Sequence, residues 1–162
     1  MSRALSVRPA SVAEYERLFT LWRGVEYLHH QAIPHIIRKP DEGWPTRSVV
    51  ENLIAGPDST ILIAEMTNEV VGFVTLQIHR VQETPRMRGR RFVMIENMAV
   101  DPLRRRSGIG RALLSAAEDW TAERGIAVLQ LFVWEFNDAA ARFYESLGFV
   151  TELRGMARRI AD

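Results

Sequence analysis

Arg105-Arg106-Ser107-Gly108-Ile109-Gly110 lies between an apolar run at 92–100 and a helix-forming run at 111–124. The apolar run reads as a strand, and Asp101-Pro102 ends it, because proline cannot donate to a ladder. The two glycines open the helix. The first N–H groups of a helix have no intrahelical acceptor, and glycine lets an anion approach them without meeting a Cβ. The hexapeptide therefore predicts an anion cradle suited to phosphate. Each hydrogen bond to a charged oxygen contributes about 1.5–3 kcal/mol. The helix dipole adds about 0.3–1 kcal/mol per charge, so converging N–H groups matter more. Arg104, Arg105, Arg106 and Arg111 add charge of the right sign.

Three nucleotide loops compete for this stretch. A P-loop needs Gly-Lys-Ser/Thr, but Gly110 is followed by Arg111-Ala112. A dinucleotide fingerprint needs a third glycine where Leu113 stands. The third pattern is Arg or Gln, two residues, Gly, one residue, then Gly or Ala, all after a strand. Arg105, Gly108 and Gly110 match it. The plainer alternative is a helix entered through a flexible loop with a solvated basic run.

A second motif stands downstream. Residues 129–133 read as a buried strand, and 137–149 run Asn-Asp-Ala-Ala-Ala-Arg-Phe-Tyr-Glu-Ser-Leu-Gly-Phe. Ala140, Phe143, Tyr144 and Leu147 fall at i, i+3, i+4, i+7, one face of a helix. Asn137 or Asp138 suits the N-cap and Gly148 the C-cap. The two motifs, in this order and with these flanks, resemble the GCN5-related N-acetyltransferase (GNAT) superfamily. The resemblance covers about residues 5–155 and is densest over 92–149. It implies an acyl-CoA N-acyltransferase fold in which two neighbouring strands, here 92–100 and 127–133, splay apart to admit the acyl-thioester arm.

Composition is consistent with one domain spanning 1–162 and large enough for its own core. A net charge of +1 argues against nucleic-acid and membrane partners. The chain has no cysteine, which removes disulfides, thiolate metal sites and a cysteine nucleophile, and suggests a cytoplasmic location. No apolar run reaches membrane-spanning length, and no signal peptide is evident.

Along the chain, 5–8 reads as a short strand and Ser11-Val12-Ala13-Glu14 as a capping box. The helix that follows is expected to break or bend at Gly24. Pro34, Pro40 and Pro45 mark an irregular stretch, and Thr46 caps a helix over 47–55. Strands are expected at 60–66 and 70–78, joined by a turn at 67–69, with Gly72 close to it. Residues 79–91 read as an arginine-rich connection. A last strand is expected from Phe149, with an added edge at 156–160. The class is α+β, a three-layer arrangement with a central, mostly antiparallel mixed sheet and helices on both faces.

Acetyl transfer to an amine requires that the thioester be held, the ammonium lose a proton and the thiolate gain one. Tyr144 is the candidate acid. A phenol near pKa 10 lies uphill of a thiol near 8.5 by roughly 2 kcal/mol. The resemblance implies that a tyrosine at this motif position acts as acid or hydrogen-bonds the sulfur; otherwise Tyr144 is an amphipathic core residue. Glu96 is the candidate base, because a carboxylate inside an apolar strand is costly to bury. Plain alternation would instead turn it to solvent. Asn97 is a weaker site candidate, and a water could serve as base.

By resemblance, the backbone of Met98, Ala99 and Val100 pairs with the pantetheine amides, and a bulge in this strand frees groups that polarise the thioester carbonyl. Arg105, Arg106, Ser107, Gly108, Ile109, Gly110 and Arg111 would cradle the diphosphate. Asn137 would touch the pantetheine arm or simply cap its helix, and Ala140 stays small beside the ligand.

Acceptor-side candidates are Tyr27, His30, Trp44 and Glu135. His29, His30 and His35 lack a third ligand of suitable spacing, so no metal is expected. The arginines at 80, 86, 88, 90 and 91 either attract an acidic acceptor or form a solvated hairpin tip. The function implied is acetyl-CoA-dependent N-acetylation of a small-molecule or peptide amine by direct attack. Its rivals are transfer of another acyl group or to an oxygen acceptor, a non-catalytic coenzyme A sensor, and a nucleic-acid binder. Family analogy implies a homodimer.

Overall fold

Two long strands carry the framework: β2 (Ser59–Met66) and β3 (Glu69–Val81). Thr67 and Asn68 join them at positive φ of 55° and 62°, the backbone of a tight hairpin turn. In this structure, a computed structural model, residues 5–40 and 43–160 are described. β1 (Leu5–Pro9) flanks β2, and β4 (Arg90–Val100) flanks β3, all antiparallel. β5 (Leu129–Leu131) runs parallel to β4 over Val93–Ile95. Among the described residues the sheet has five strands in chain order.

Successive residues of β3 point to opposite faces, and both faces are covered. On one, Phe73 stacks on Trp22 of α1 (Tyr15–Ala32), with ring centroids 5.3 Å apart. Leu18, Leu21, Ile61, Ile63 and Val50 of α2 (Arg47–Ala55) complete that core. On the other face Gly72 lies beneath α3 (Ile109–Glu123). A Cβ there would come within 2.8 Å of the Ala99 carbonyl and 3.2 Å of Ile109 and Leu113, so only glycine allows this approach. The expected α+β arrangement with helices on both faces is present.

Several boundaries differ from expectation. α1 is continuous through Gly24, preceded by a short 3-10 turn at Val12–Glu14. A helix tolerates a lone glycine at about 1 kcal/mol, and the buried Leu18, Leu21 and Trp22 outweigh that. Thr46 does cap α2, its side chain accepting from the Val49 N–H. β3 and β4 extend beyond the expected ends, so the arginine-rich connection shrinks to 82–89. Cross-strand pairing of Arg80 with Arg91 and Val81 with Arg90 continues the ladder into the arginine-rich stretch. β5 is shorter than the expected 129–133.

The described chain divides into two compact units between Phe132 and Val133. The second contains α4 (Asp138–Glu145). The strands expected from Phe149 and at 156–160 do not form. Val150, Leu153 and Met156 recur every third residue, which places them on alternate faces of an extended chain, and all are exposed. A strand needs period two to bury one face.

Candidate functional site

β4 has ten of its eleven residues in register with β3, and the one passed over is Glu96: Thr75 pairs with Asn97, and Leu76 with Ile95. The extra residue makes a β-bulge. Thr75, which is buried, holds it in place. Its hydroxyl accepts the Asn97 N–H at 2.9 Å. The register of β5 with β4 ends at Ile95, immediately before the bulge.

Glu96 is therefore not sunk in the core. Its side chain is 39% exposed, and its Oε1 lies 2.9 Å from Nε2 of His79 on β3. The imidazole lies almost parallel to the Phe92 ring, with centroids 5.4 Å apart. His79 falls in the stretch expected as a connection, so no local signal marks it as a site residue. Only the longer strand β3 and the bulge bring it to Glu96.

Past the end of β4, Asp101 turns the chain. Its carboxylate accepts the Leu103 N–H at 3.0 Å and pairs with Arg17 of α1, whose Nε also donates to the Val70 carbonyl. The hydrogen bond from Leu103, with Arg17 beside it, holds the Asp101 carboxyl below its ordinary value despite some desolvation. Arg106 and Gly108 then adopt left-handed backbone, with φ of 64° and 84°. Gly108 caps α3 without a side-chain hydrogen bond, and a Cβ on it would meet nothing within 4 Å. Glycine is needed there for its φ rather than for space. The first backbone bond into the helix is Ala112 N–H to the Gly108 carbonyl at 3.0 Å. The N–H groups of Ile109, Gly110 and Arg111 accordingly stand at the open end of α3. The side chain of Ser107 donates to the Arg104 carbonyl, tightening the turn. These features suit an approaching diphosphate: an open cradle, left-handed glycine, outward N–H groups and flanking arginines.

In the second unit, Asn137 caps α4, its Oδ1 accepting the Ala140 N–H at 3.2 Å. Tyr144 contacts Phe143 and Phe149 edge-on, with centroids 5.2 and 5.6 Å away. Burial pushes the Tyr144 phenol up to about 12, so it is protonated at neutral pH.

The acceptor-side candidates are only partly gathered. Tyr27 and His30 neighbour each other on α1 with rings 6.5 Å apart, and His30 Nδ1 lies 2.9 Å from the Ile37 carbonyl. Trp44 is exposed in the stretch before α2, and Glu135 belongs to the second unit. Among the arginines near the hairpin tip, Arg80 is engaged with both oxygens of Asp58 at 2.7 and 2.8 Å, and Arg90 lies over Phe92. Among the described residues, no three His, Asp or Glu side chains form a metal-binding group. No helix among them is long and apolar enough to cross a membrane.

The family model for the acetyltransferase (GNAT) family matches residues 25–149, more than half of the chain. The chain belongs to this family. Among GNAT relatives, a 53-residue stretch is 53% identical to the [ribosomal protein bS18]-alanine N-acetyltransferase of Escherichia coli (strain K12), covering 33% of this chain and 36% of that protein. A mycothiol acetyltransferase of Amycolatopsis mediterranei (strain U-32) is 38% identical over 88 residues, 54% of this chain and 29% of that one. The chain thus spans about a third of the length of these curated relatives. Among solved structures, a mutant of the BH1408 protein from Bacillus halodurans superimposes with a TM-score of 0.91 at 27% identity, covering 96% of this chain and 99% of that one.

Proposed function

We propose that this chain is an acetyl-CoA-dependent N-acetyltransferase, a single GNAT-type domain that moves an acetyl group to a primary amine within a ternary complex. The observation that carries this is the continuous run from the Glu96 bulge to the open N-terminal end of α3, capped by left-handed Gly108. The cradle from Arg105 to Arg111 grips the diphosphate through backbone N–H groups. Met98, Ala99 and Val100 align the pantetheine arm along β4, and Asn137 and Ala140 are the second unit's candidates to contact coenzyme A. β5 leaves β4 at Ile95, which is where an inserting arm would need the two strands to part.

Glu96 takes a proton from the acceptor ammonium, directly or through water. The freed amine attacks the thioester carbon, the C–S bond breaks, and Tyr144 supplies a proton or a hydrogen bond to the departing sulfur. A phenol pushed up to about 12 stays protonated and serves best as a hydrogen-bond donor. Full transfer to a free thiolate near 8.5 would be uphill by about 5 kcal/mol. With no cysteine in the chain, direct attack replaces a cysteinyl acyl-enzyme. The acceptor is a small-molecule or peptide amine, with Tyr27, His30, Trp44 and Glu135 as candidates to contact it. A cytoplasmic location, from the lack of cysteine, and a homodimer, by family analogy, complete the reading.

Calorimetry with coenzyme A and thiol release across a panel of amines test this. Saturable binding is expected, with turnover reduced by Tyr144→Phe and Glu96→Gln. Binding without turnover on any amine would leave a coenzyme A sensor, and absence of binding at millimolar coenzyme A would end both.

A further inference from the structure

We propose that His79 is the positioning residue for Glu96, orienting one carboxylate oxygen so that the other faces the acceptor's proton. This rests on the reading of Glu96 as base. Four observations converge on it. Glu96 is the residue that the β3–β4 register passes over, so no directly opposed partner restrains it. Its carboxylate meets His79 Nε2 at 2.9 Å. The imidazole is itself fixed, lying 15° from parallel to the Phe92 ring, its cross-strand partner. Phe92 is only 6% exposed and carries the Arg90 guanidinium 4.8 Å from its centroid, so the support under the imidazole is rigid.

The chemistry follows from the donor inventory. An ionised carboxylate only accepts hydrogen bonds, so the Nε2 facing it must carry the proton. With Oε1 engaged by Nε2–H, Oε2 is left to accept the proton of the ammonium. The ammonium loses one proton, the carboxyl gains it, and the imidazole keeps its own. A half-exposed hydrogen bond of this kind contributes little to stability by itself. The value of this pair lies in geometry, because a general base must be held within hydrogen-bond reach of the proton it removes.

The test compares His79→Leu, His79→Gln, Glu96→Gln and the His79→Leu/Glu96→Gln double variant. Probes are acetyl-CoA with an alanine-initiated peptide and with a small diamine. Gln places its Nε2 donor the same number of bonds from the backbone as the imidazole Nε2. His79→Leu is expected to lower kcat about tenfold or more, with KM for acetyl-CoA and calorimetric affinity for coenzyme A within about twofold of wild type. His79→Gln should recover most of the loss, and the double variant should fall no further than Glu96→Gln, since coupled residues are not additive. Wild-type kcat in His79→Leu, or independent multiplication of the two losses, overturns the inference. Nitrogen-15 spectra of the imidazoles decide it without turnover: His79 should carry its proton on Nε2 and shift in folded Glu96→Gln. A His79 spectrum indifferent to that change overturns the pairing. Wild-type protein that neither binds coenzyme A nor acetylates an amine overturns the enzymatic reading instead, whatever the spectra show.

Discussion

The Thr75 hydroxyl accepts the Asn97 backbone N–H at 2.9 Å from a position that is 1% exposed. A side chain thus occupies the place of a ladder partner at the point where β4 gains its extra residue. Thr75→Val keeps the shape and removes the acceptor. The Asn97 N–H is part-buried, so leaving it unsatisfied costs about 1 kcal/mol, the low end of the range for a buried donor. Chemical denaturation should show that loss, with a much smaller one for Thr75→Ser, which keeps the hydroxyl. Equal losses in the two variants would mean that the methyl group, not the hydroxyl, supports the bulge.

Gly108→Ala tests the cradle. No atom lies within 4 Å of the added Cβ, so the cost is one of backbone alone. An L-residue held at φ near +84° loses about 1–2 kcal/mol. Calorimetry should also find weaker binding of coenzyme A, because a relaxed φ turns the first N–H groups of α3 away. Unchanged stability would show that the loop adjusts freely.

Asp101→Ala removes the cap on Leu103 and the partner of Arg17. A stability loss of about 1 kcal/mol is expected at neutral pH, mostly from the cap. The Asp101 carboxyl is held below 3.8 in the folded chain. Its contribution is therefore complete above that value and disappears as pH falls through the lower, folded one. Thermal melts of the two proteins should converge in acid. A gap that persists after the carboxyl is fully protonated would contradict the assignment.

Tyr144 titrates in the opposite sense. Burial raises its phenol from 10.0 to about 12. The unfolded chain ionises first, so the stability that burial provides is intact below pH 10 and declines as pH rises towards 12. In ultraviolet titration of the native protein, Tyr144→Phe should remove an absorbance step near pH 12 and leave the steps of the other tyrosines. Loss of a step near pH 10 would show an exposed phenol.

Much of the molecule was legible because its signals are local. Gly108 and Gly110 after a strand announce a helix opened for an anion, and Asn137 with Tyr144 announces an amphipathic helix with its own cap. Both helices stand where periodicity put them, and Thr46 caps α2 through a bond to a residue three positions away. Local rules fail where a residue meets a distant partner. Gly24 stays helical because buried neighbours hold α1, and His79 lies in a strand because Phe92 stacks on it. Val150, Leu153 and Met156 look like strand residues by type, but their spacing gives them no common face.

The order of residues alone decided the kind of chain this is: the glycine-bearing turn after a strand, the capped amphipathic helix, and the lack of a thiol, each set by neighbours within a few positions. Tertiary structure alone decided that Glu96 is a bulge residue and that His79 reaches it. Both depend on the cross-strand register, which sums packing along two whole strands and is written at no single position.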